Sequence, residues 1–419
     1  MSLPKSRLLV IGCVWPEPNS SAAGSRILQL LEFFLAENYE ITFVSTAARS
    51  EFAVDLEKMN IASQVIIMNH PSFDELLKKI RPDLVLFDRF MTEEQFGWRV
   101  DETCPDAVKI LDTEDLHFLR KTRTEAYKKN ISAESLYFDV DITKREIGSI
   151  YRCDLSLIIS EVEMDLLQKE FKIAKNLLHY LPFLLETISY ENKAKLPPFN
   201  ERQNFISIGN FLHEPNWNAV LYLKEKIWPL IRQQLPNSNL EIYGAYPSQK
   251  VWNLNNEKEG FIVKGRARNA EYVMKNAKVC LAPIQFGAGL KGKLIQAMQC
   301  GTPSVTTSIG AEGIPGALDW NGFITNDPKE FAEKSVRLYS EEKLWKNSVE
   351  NGFRIINSRF NKEAFQQDFS ERLTDLVQNL NFYRQKNFIG KMLQHHQHRS
   401  TYFMAKFIEE KEKNKKTAG

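Results

Sequence analysis

Short runs of consecutive apolar residues, separated by segments of helical periodicity, organise the first half of the chain. The runs fall at 8–15, 41–45, 65–68, 84–87, 108–111 and 155–159. Between the first two, Ile27, Leu28, Leu30, Leu31, Phe34 and Leu35 recur at spacings of three and four, as on one face of an amphipathic helix. Continuous apolar strands alternating with helices predict a mostly parallel sheet covered on both faces. The rhythm breaks at 191–203, a polar stretch carrying Pro197-Pro198, which reads as an interdomain linker. It restarts with apolar runs at 205–208, 240–243, 261–263, 279–282 and 304–306. After Phe331 the pattern is helical: 360–379 has helical spacing, and 387–411 is amphipathic with Phe388, Ile389, Met392 and Leu393 on one side. The expected fold is α/β, with two doubly wound, Rossmann-like domains whose facing strand ends form a cleft. The expected boundaries are 1–190 for the first domain, 191–203 for the linker, 204–358 for the second domain, and 359–419 for C-terminal helices. The charged end from Glu409 is expected to fray.

Composition agrees with a globular chain. Of 419 residues, 43% are hydrophobic and 26% charged, and the length exceeds one ordinary domain. The net charge of +2 gives no electrostatic reason for a nucleic-acid partner. Positive charge is instead local, in Arg120, Lys121, Arg123, Lys128 and Lys129, and in Lys406, Lys411, Lys413, Lys415 and Lys416. The five cysteines form no C-x-x-C pair, so reduced thiols, a cytoplasmic setting and no zinc site are expected. Lys5 and Arg7 ahead of an apolar run look like a signal peptide, but Pro16-Glu17-Pro18 stands where a cleavage site would. A buried first strand is the better reading. No apolar stretch approaches the roughly 18 residues that span a bilayer. His395, His396 and His398 read as an exposed polar helix face rather than a metal site.

Chemistry concentrates between Pro283 and Gly313. An apolar run ends at Pro283, a turn with Gly287 and Gly289 follows, and a helix opens near Leu290, Lys291 and Lys293. Glycines let backbone approach a ligand, and free amides at a helix start favour an anion. Together with Gly301-Thr302-Pro303 and Gly310-Ala311-Glu312-Gly313, this segment resembles the donor-binding signature of the group-one retaining glycosyltransferases, family four, of the GT-B fold. The resemblance is specific over about thirty residues, extends more weakly from Phe205 to about Tyr339, and is architectural over the N-terminal half. It implies donor contacts from Gly24, Gly209, Asn210, Arg266, Gly287, Gly289, Leu290, Lys291, Lys293, Gln296 and Glu312. It also implies that the loop after the 108–111 run faces the reacting sugar, with Asp112, Asp115 and His117 as catalytic candidates. Helix capping by Asp112 or Thr113 is an alternative reading of that loop.

The sequence departs from the family in informative places. Two glutamates eight positions apart are common there, and Ala288 and Gln296 stand in their stead. Asn210 and Asn216 occupy places where Arg and Lys commonly grip a diphosphate, and Glu114-Asp115 replaces a histidine-aspartate pair. The resemblance implies a metal-independent hexosyltransferase that moves a sugar from a nucleotide diphospho-sugar with retention, and no cofactor. The acceptor would be a glycan, a lipid-linked or another molecule, in cell-surface polysaccharide or glycoconjugate synthesis. A non-catalytic nucleotide-sugar or glycan-binding relative stays open as the alternative. A nicotinamide dehydrogenase is excluded, because no G-x-G-x-x-G follows the first apolar run. The basic segment 119–129 is expected to bring the protein to the anionic inner face of a membrane.

Overall fold

The computed structural model describes residues 5–417; the side chains of 397–399, 412–413 and 415–417 lie outside that description. Two all-parallel sheets form. The first contains β1 (Arg7–Gly12), β2 (Glu40–Ser45), β3 (Ala62–Val65), β4 (Leu84–Asp88), β5 (Val108–Asp112), β6 (Leu155–Ile158) and β7 (Leu178–Tyr180), in the order β3-β2-β1-β4-β5-β6-β7. The second contains β8 (Gln203–Ile208), β9 (Leu240–Tyr243), β10 (Phe261–Gly265), β11 (Ala277–Ala282), β12 (Ser304–Thr306) and β13 (Gly322–Ile324), in the order β10-β9-β8-β11-β12-β13. The expected doubly wound architecture is therefore present twice.

The central strands are buried along their whole length because helices cover both faces; β4 and β5 have no exposed residue. The helix Ala22–Ala36 starts at Ser21, whose hydroxyl accepts from the Gly24 amide at 3.0 Å. Its Ile27, Leu30, Leu31 and Phe34 pack on Leu8 and Val10 of β1. One expected strand is misplaced. The run at 65–68 only touches β3, which occupies Ala62–Val65, and Val65, Ile67 and Met68 are exposed. An edge strand has a single sheet neighbour, so apolar density does not locate it.

The C-terminal helices do not pack where their sequence position suggests. After Leu185 the chain crosses to the second sheet, and at Phe360 it comes back. The two crossings run side by side, with the Leu185 amide donating to Phe360 O and the Lys362 amide to Leu185 O, both at 2.9 Å. The helix Lys362–Gln378 then inserts Phe369, Leu373 and Leu376 into the core of the first sheet. Each such side chain contributes roughly 1.5–3 kcal/mol by leaving water. The last helix runs from Arg399 to Thr417.

In each sheet strand order reverses beside its first strand, at β1/β4 and at β8/β11. A crevice forms outside the carboxyl ends of strands at such a point. Asp88 and Cys13 mark it in the first sheet, and Gly209 and Pro283 in the second.

Candidate functional site

The two switch points meet across the cleft. From the second domain, the turn after β11 carries Gly287 and Gly289 with φ of 148° and 62°, and the eight-residue helix Gly292–Gln299 follows. The Lys291 ammonium donates to Gly289 O at 2.8 Å, and Lys293 donates to Asn216 Oδ1 at 2.7 Å. Neither has a carboxylate partner among the described ion pairs. Burial pulls both ammonium groups down from 10.5 to about 8. Gly209 ends β8 directly against this pair: a Cβ there would stand 2.6 Å from Lys293 Nζ and 2.8 Å from Asn216 Cγ. Asn216 also donates to Asn210 O at 2.8 Å, so an asparagine orients the lysine where a cation was expected to stand. Gln296 is half-buried, one turn beyond Lys293 on the same side of the helix.

The first domain supplies strained and buried acid–base groups. Arg89 and Glu114 follow β4 and β5 with φ of 71° and 64°, a region that non-glycine residues seldom occupy. Asp115 lies against the glycine turn, so a Cβ on Gly289 would be 2.7 Å from the Asp115 Cβ. Burial would raise the Asp115 carboxyl, but Arg120 at 2.7 Å and His117 outweigh it and hold it below the usual range. His117 Nε2 is 3.5 Å from Asp115, and burial lowers the imidazole to about 4, so it is neutral at pH 7. Burial, and then the nearby Asp112, push the Glu114 carboxyl well above the ordinary range. Its Oε1 is buried with no hydrogen-bond partner. His213, from the loop after β8, lies within electrostatic reach of Asp115, Arg120, Arg89 and Lys293.

Several expected site residues have other partners. Asp112 is fully buried and accepts from Arg26 Nε at 2.9 Å and Nη2 at 2.7 Å. Arg26 also donates to Leu181 O at 2.7 Å. Asp112 thus fixes the Ala22–Ala36 helix to the sheet, with its carboxylate taken up by Arg26. It does not cap the next helix, which begins at His117. Glu146 from a different helix does so, accepting from the His117 and Phe118 amides at 3.0 and 2.8 Å. Gly24 is enclosed by its own domain, where a Cβ would lie 2.4 Å from the Glu17 backbone. Ala22 meets the donor-side helix instead, 2.6 Å from where a Cβ on Gly292 would be. The Leu290 side chain packs in a core cluster with Ile284 and Leu294, so only its backbone can face a ligand. Arg266 stacks 3.7 Å above the Phe52 ring of the opposite domain. Asn210 donates across the cleft to Ser20 O at 3.3 Å.

Glu312 receives Arg123 in a two-pronged pair at 2.7 and 2.8 Å, and Arg123 also donates to Gly287 O at 2.9 Å. The remainder of the basic run is likewise paired: Arg120 with Asp115, Lys121 and Lys129 with Glu125, and Lys128 with Glu214. Arg120 and Arg123 thus face the cleft, while Lys121, Lys128 and Lys129 stay more than half exposed in their surface pairs.

The groups that sequence reasoning missed are those whose role depends on the opposite domain. Glu163 is the clearest: its Oε1 accepts from Leu116 N at 3.2 Å and from Gly289 N at 2.8 Å, linking both domains at the glycine turn. Burial raises it to about 7. His213 had a signal, since it directly follows the Gly209-Asn210 opening. A surface groove of about 700 Å³ is lined by Arg7, Asp83, Cys104, Val377 and Leu380. It lies at the amino ends of β1, β4 and β5, away from these groups. Among the described residues, no group of His, Cys, Asp and Glu is placed to hold a metal.

Two doubly wound sheets facing across a cleft, with a glycine turn on one side, are the GT-B architecture. Residues 202–341 match the family model described as Glycosyl transferases group 1. The matched segment is about a third of the chain and is almost the span that its motifs outlined. A glycosyltransferase from Rickettsia africae superposes with a TM-score of 0.65 at 13% identity, covering 90% of this chain and 100% of its own. The sucrose-phosphate synthase of Thermosynechococcus elongatus gives 0.66 at 16%, with 89% and 99% covered. HepE of Anabaena, in complex with UDP and glucose, gives 0.61 at 14%, with 88% and 99% covered. At these identities the likeness establishes the fold. No curated protein matches the chain.

Proposed function

We propose that the protein transfers a hexosyl group from a nucleoside diphosphate sugar to an acceptor hydroxyl, with retention at the sugar carbon. The observation that carries this reading is the pair Lys291 and Lys293 at the glycine turn beside Gly209: neither forms an ion pair among the described residues, and Lys293, with Asn216 as its partner, has no carboxylate acting on it, while Glu312, Glu163 and Asp115 act on Lys291 from a distance. An unneutralised buried ammonium is costly, and an anionic ligand repays that cost by supplying the missing charge. In the proposed reaction the acceptor oxygen bonds to the sugar carbon as the bond to the diphosphate breaks, and the acceptor proton passes to a diphosphate oxygen. Lys291, Lys293 and the amides at the start of the Gly292–Gln299 helix stabilise the departing charge. Gln296 accepts from a ribose hydroxyl through its neutral carbonyl. Asp115 and neutral His117 orient the sugar, and Glu114, held in its protonated form, donates to it. No metal is required, so turnover survives EDTA.

The acceptor belongs to cell-surface polysaccharide or glycoconjugate synthesis, as a glycan or a lipid-linked molecule. A binding-only role is favoured by one observation, the withdrawal of Asp112 into its pair with Arg26. Calorimetry against UDP, GDP and ADP, followed by assay of nucleotide release from the matching sugars, separates the readings. Binding with slow donor hydrolysis is expected. Binding without any release selects the non-catalytic role, and no binding of any diphosphate refutes both.

A further inference from the structure

The C-terminal helices leave an apolar face uncovered. The helices Leu380–Lys386, Phe388–Leu393 and Arg399–Thr417 wrap the first domain as a strap. Their inner side is firmly fixed. Arg384 pairs with Asp154 at 2.7 Å and donates to Ala107 O, while Asn387 donates to Tyr151 O at 2.7 Å. Gly390 lies so close to Tyr151 that a Cβ would stand 2.2 Å from its carbonyl oxygen. Farther along, Tyr402 packs edge-on against Trp98, Ala405 is buried, and Glu409 pairs with Arg99. The outer side holds Phe382, Phe388, Met392, Phe403, Met404 and Phe407, between 44% and 72% exposed. On the last helix, positions 403, 404 and 407 lie opposite the buried 405 and 409, so the exposure follows from the helix period and its anchoring.

Charge identifies the occupant. From Leu380 to Ile408 the sequence contains no Asp or Glu, although the 419-residue chain carries 53 of them. Of the cations in this stretch, Arg384 pairs with Asp154 and Lys406 with Glu409, so Lys386 and Lys391 carry the argument. Lys386 and Lys391 are exposed beside the aromatic face. A second copy of the chain meeting this face about a two-fold axis would oppose Lys386 and Lys391 to like cations, because the acids of the strap begin only at Glu409, which already pairs with Arg99 and Lys406. A bilayer rich in anionic lipid offers acyl chains to the Phe and Met side chains and phosphates to the lysines. No helix of the described residues is long and apolar enough to cross a membrane, so the contact is one of lying on the surface.

We propose that the outer face of the C-terminal strap, centred on Phe388, Phe403 and Phe407 and flanked by Lys386 and Lys391, docks the protein on an anionic lipid surface. The segment 119–129 is a separate surface, whose Arg120 and Arg123 are turned into the cleft toward Asp115 and Glu312. The strap grips the helices Phe90–Thr103 and Asp141–Arg152, so docking holds the first domain at the bilayer.

The test is flotation of the full chain with vesicles of phosphatidylcholine alone and of an equal mixture with phosphatidylglycerol, at low and high salt. The parent protein should bind the anionic vesicles at least tenfold more tightly than the neutral ones, with the difference shrinking at high salt. The exposed double variant Phe403→Asp/Phe407→Asp should lose at least tenfold in binding with an unchanged melting temperature. Lys386→Glu/Lys391→Glu should lose as much through charge alone, while Lys121→Glu should bind like the parent. Equal binding to both vesicle types overturns the proposal, as does unimpaired binding by both double variants. A parent that ignores vesicles and elutes as a dimer, which Phe403→Asp/Phe407→Asp converts to monomer, assigns the face to a second copy instead.

Discussion

Replacing Lys293 by Met should stabilise the ligand-free protein and weaken its hold on a nucleoside diphosphate, two effects of opposite sign from one substitution. Burial lowers the Lys293 ammonium from 10.5 to about 8. That displacement corresponds to about 3 kcal/mol against the charged form, an upper bound because the side chain keeps some contact with water. The folded form holds the proton less readily than the unfolded one. Between pH 8 and 10.5 the unfolded chain therefore carries more protons, and stability rises with pH; below pH 8 the whole penalty is present. Methionine removes the penalty but leaves Asn216 Oδ1 without its 2.7 Å donor, a loss of about 1 kcal/mol. The net gain at pH 7 is about 1–2 kcal/mol, or a few degrees in Tm. If Lys293 bonds a diphosphate oxygen, its removal costs about 1.5–3 kcal/mol of binding, roughly 10- to 150-fold in Kd. Scanning fluorimetry with and without UDP at pH 7 and pH 10 reads both effects. The variant should melt higher than the parent at pH 7, lose most of that advantage at pH 10, and gain little from UDP. A variant that melts several degrees lower at both pH values, or that keeps the parent's affinity for UDP, refutes the assignment.

Glu163 gives the opposite pH sign. Its folded carboxyl is raised from 4.5 to about 7, so the folded state binds the extra proton and its contribution to stability falls as pH rises through that window, by up to about 3 kcal/mol. Glu163→Gln keeps an acceptor for the Leu116 and Gly289 amides, and should flatten the difference in melting temperature between pH 5 and pH 8; an unchanged slope counts against the assigned burial. Asp112→Asn should destabilise the fold by about 3–5 kcal/mol, because the buried Arg26 loses its counter-charge. Combining Asp112→Leu with Arg26→Met should recover much of that loss in urea unfolding, and equal instability of the double variant would contradict it. Gln296→Glu, on the half-buried face shared with Lys293, should tighten nucleotide binding by up to about tenfold if it meets ribose. A lower Tm with no nucleotide gain would put the ribose elsewhere.

The sequence determined the architecture and half of the site. Continuous apolar runs separated by helical periods are the local record of strands buried on both faces, and they specified two parallel sheets and the polar crossing between them. The grouping at the glycine turn was equally local: Gly287, Gly289, Lys291, Lys293 and Gln296 lie within ten residues, and a glycine turn entering a helix brings neighbours together by its own geometry. Peripheral strands escaped: β7 and β13 are three-residue strands at sheet edges, whereas β12, equally short but internal and fully buried, was legible. Only the tertiary structure decided the partners. Asp112 reads as a cleft acid until Arg26, 86 positions away, is found against it. Arg123 reads as a lipid-binding cation until Glu312, 189 positions away, takes it. Glu163 carries no motif, and its meeting with Gly289 exists only because two separately folded sheets close on each other. The C-terminal strap shows both halves of the lesson: its amphipathic spacing is legible, but packing onto the first domain decides which side is buried. Periodicity reports burial along one element. The partner of a buried charge is set by which elements pack together, and that information is spread over the whole chain.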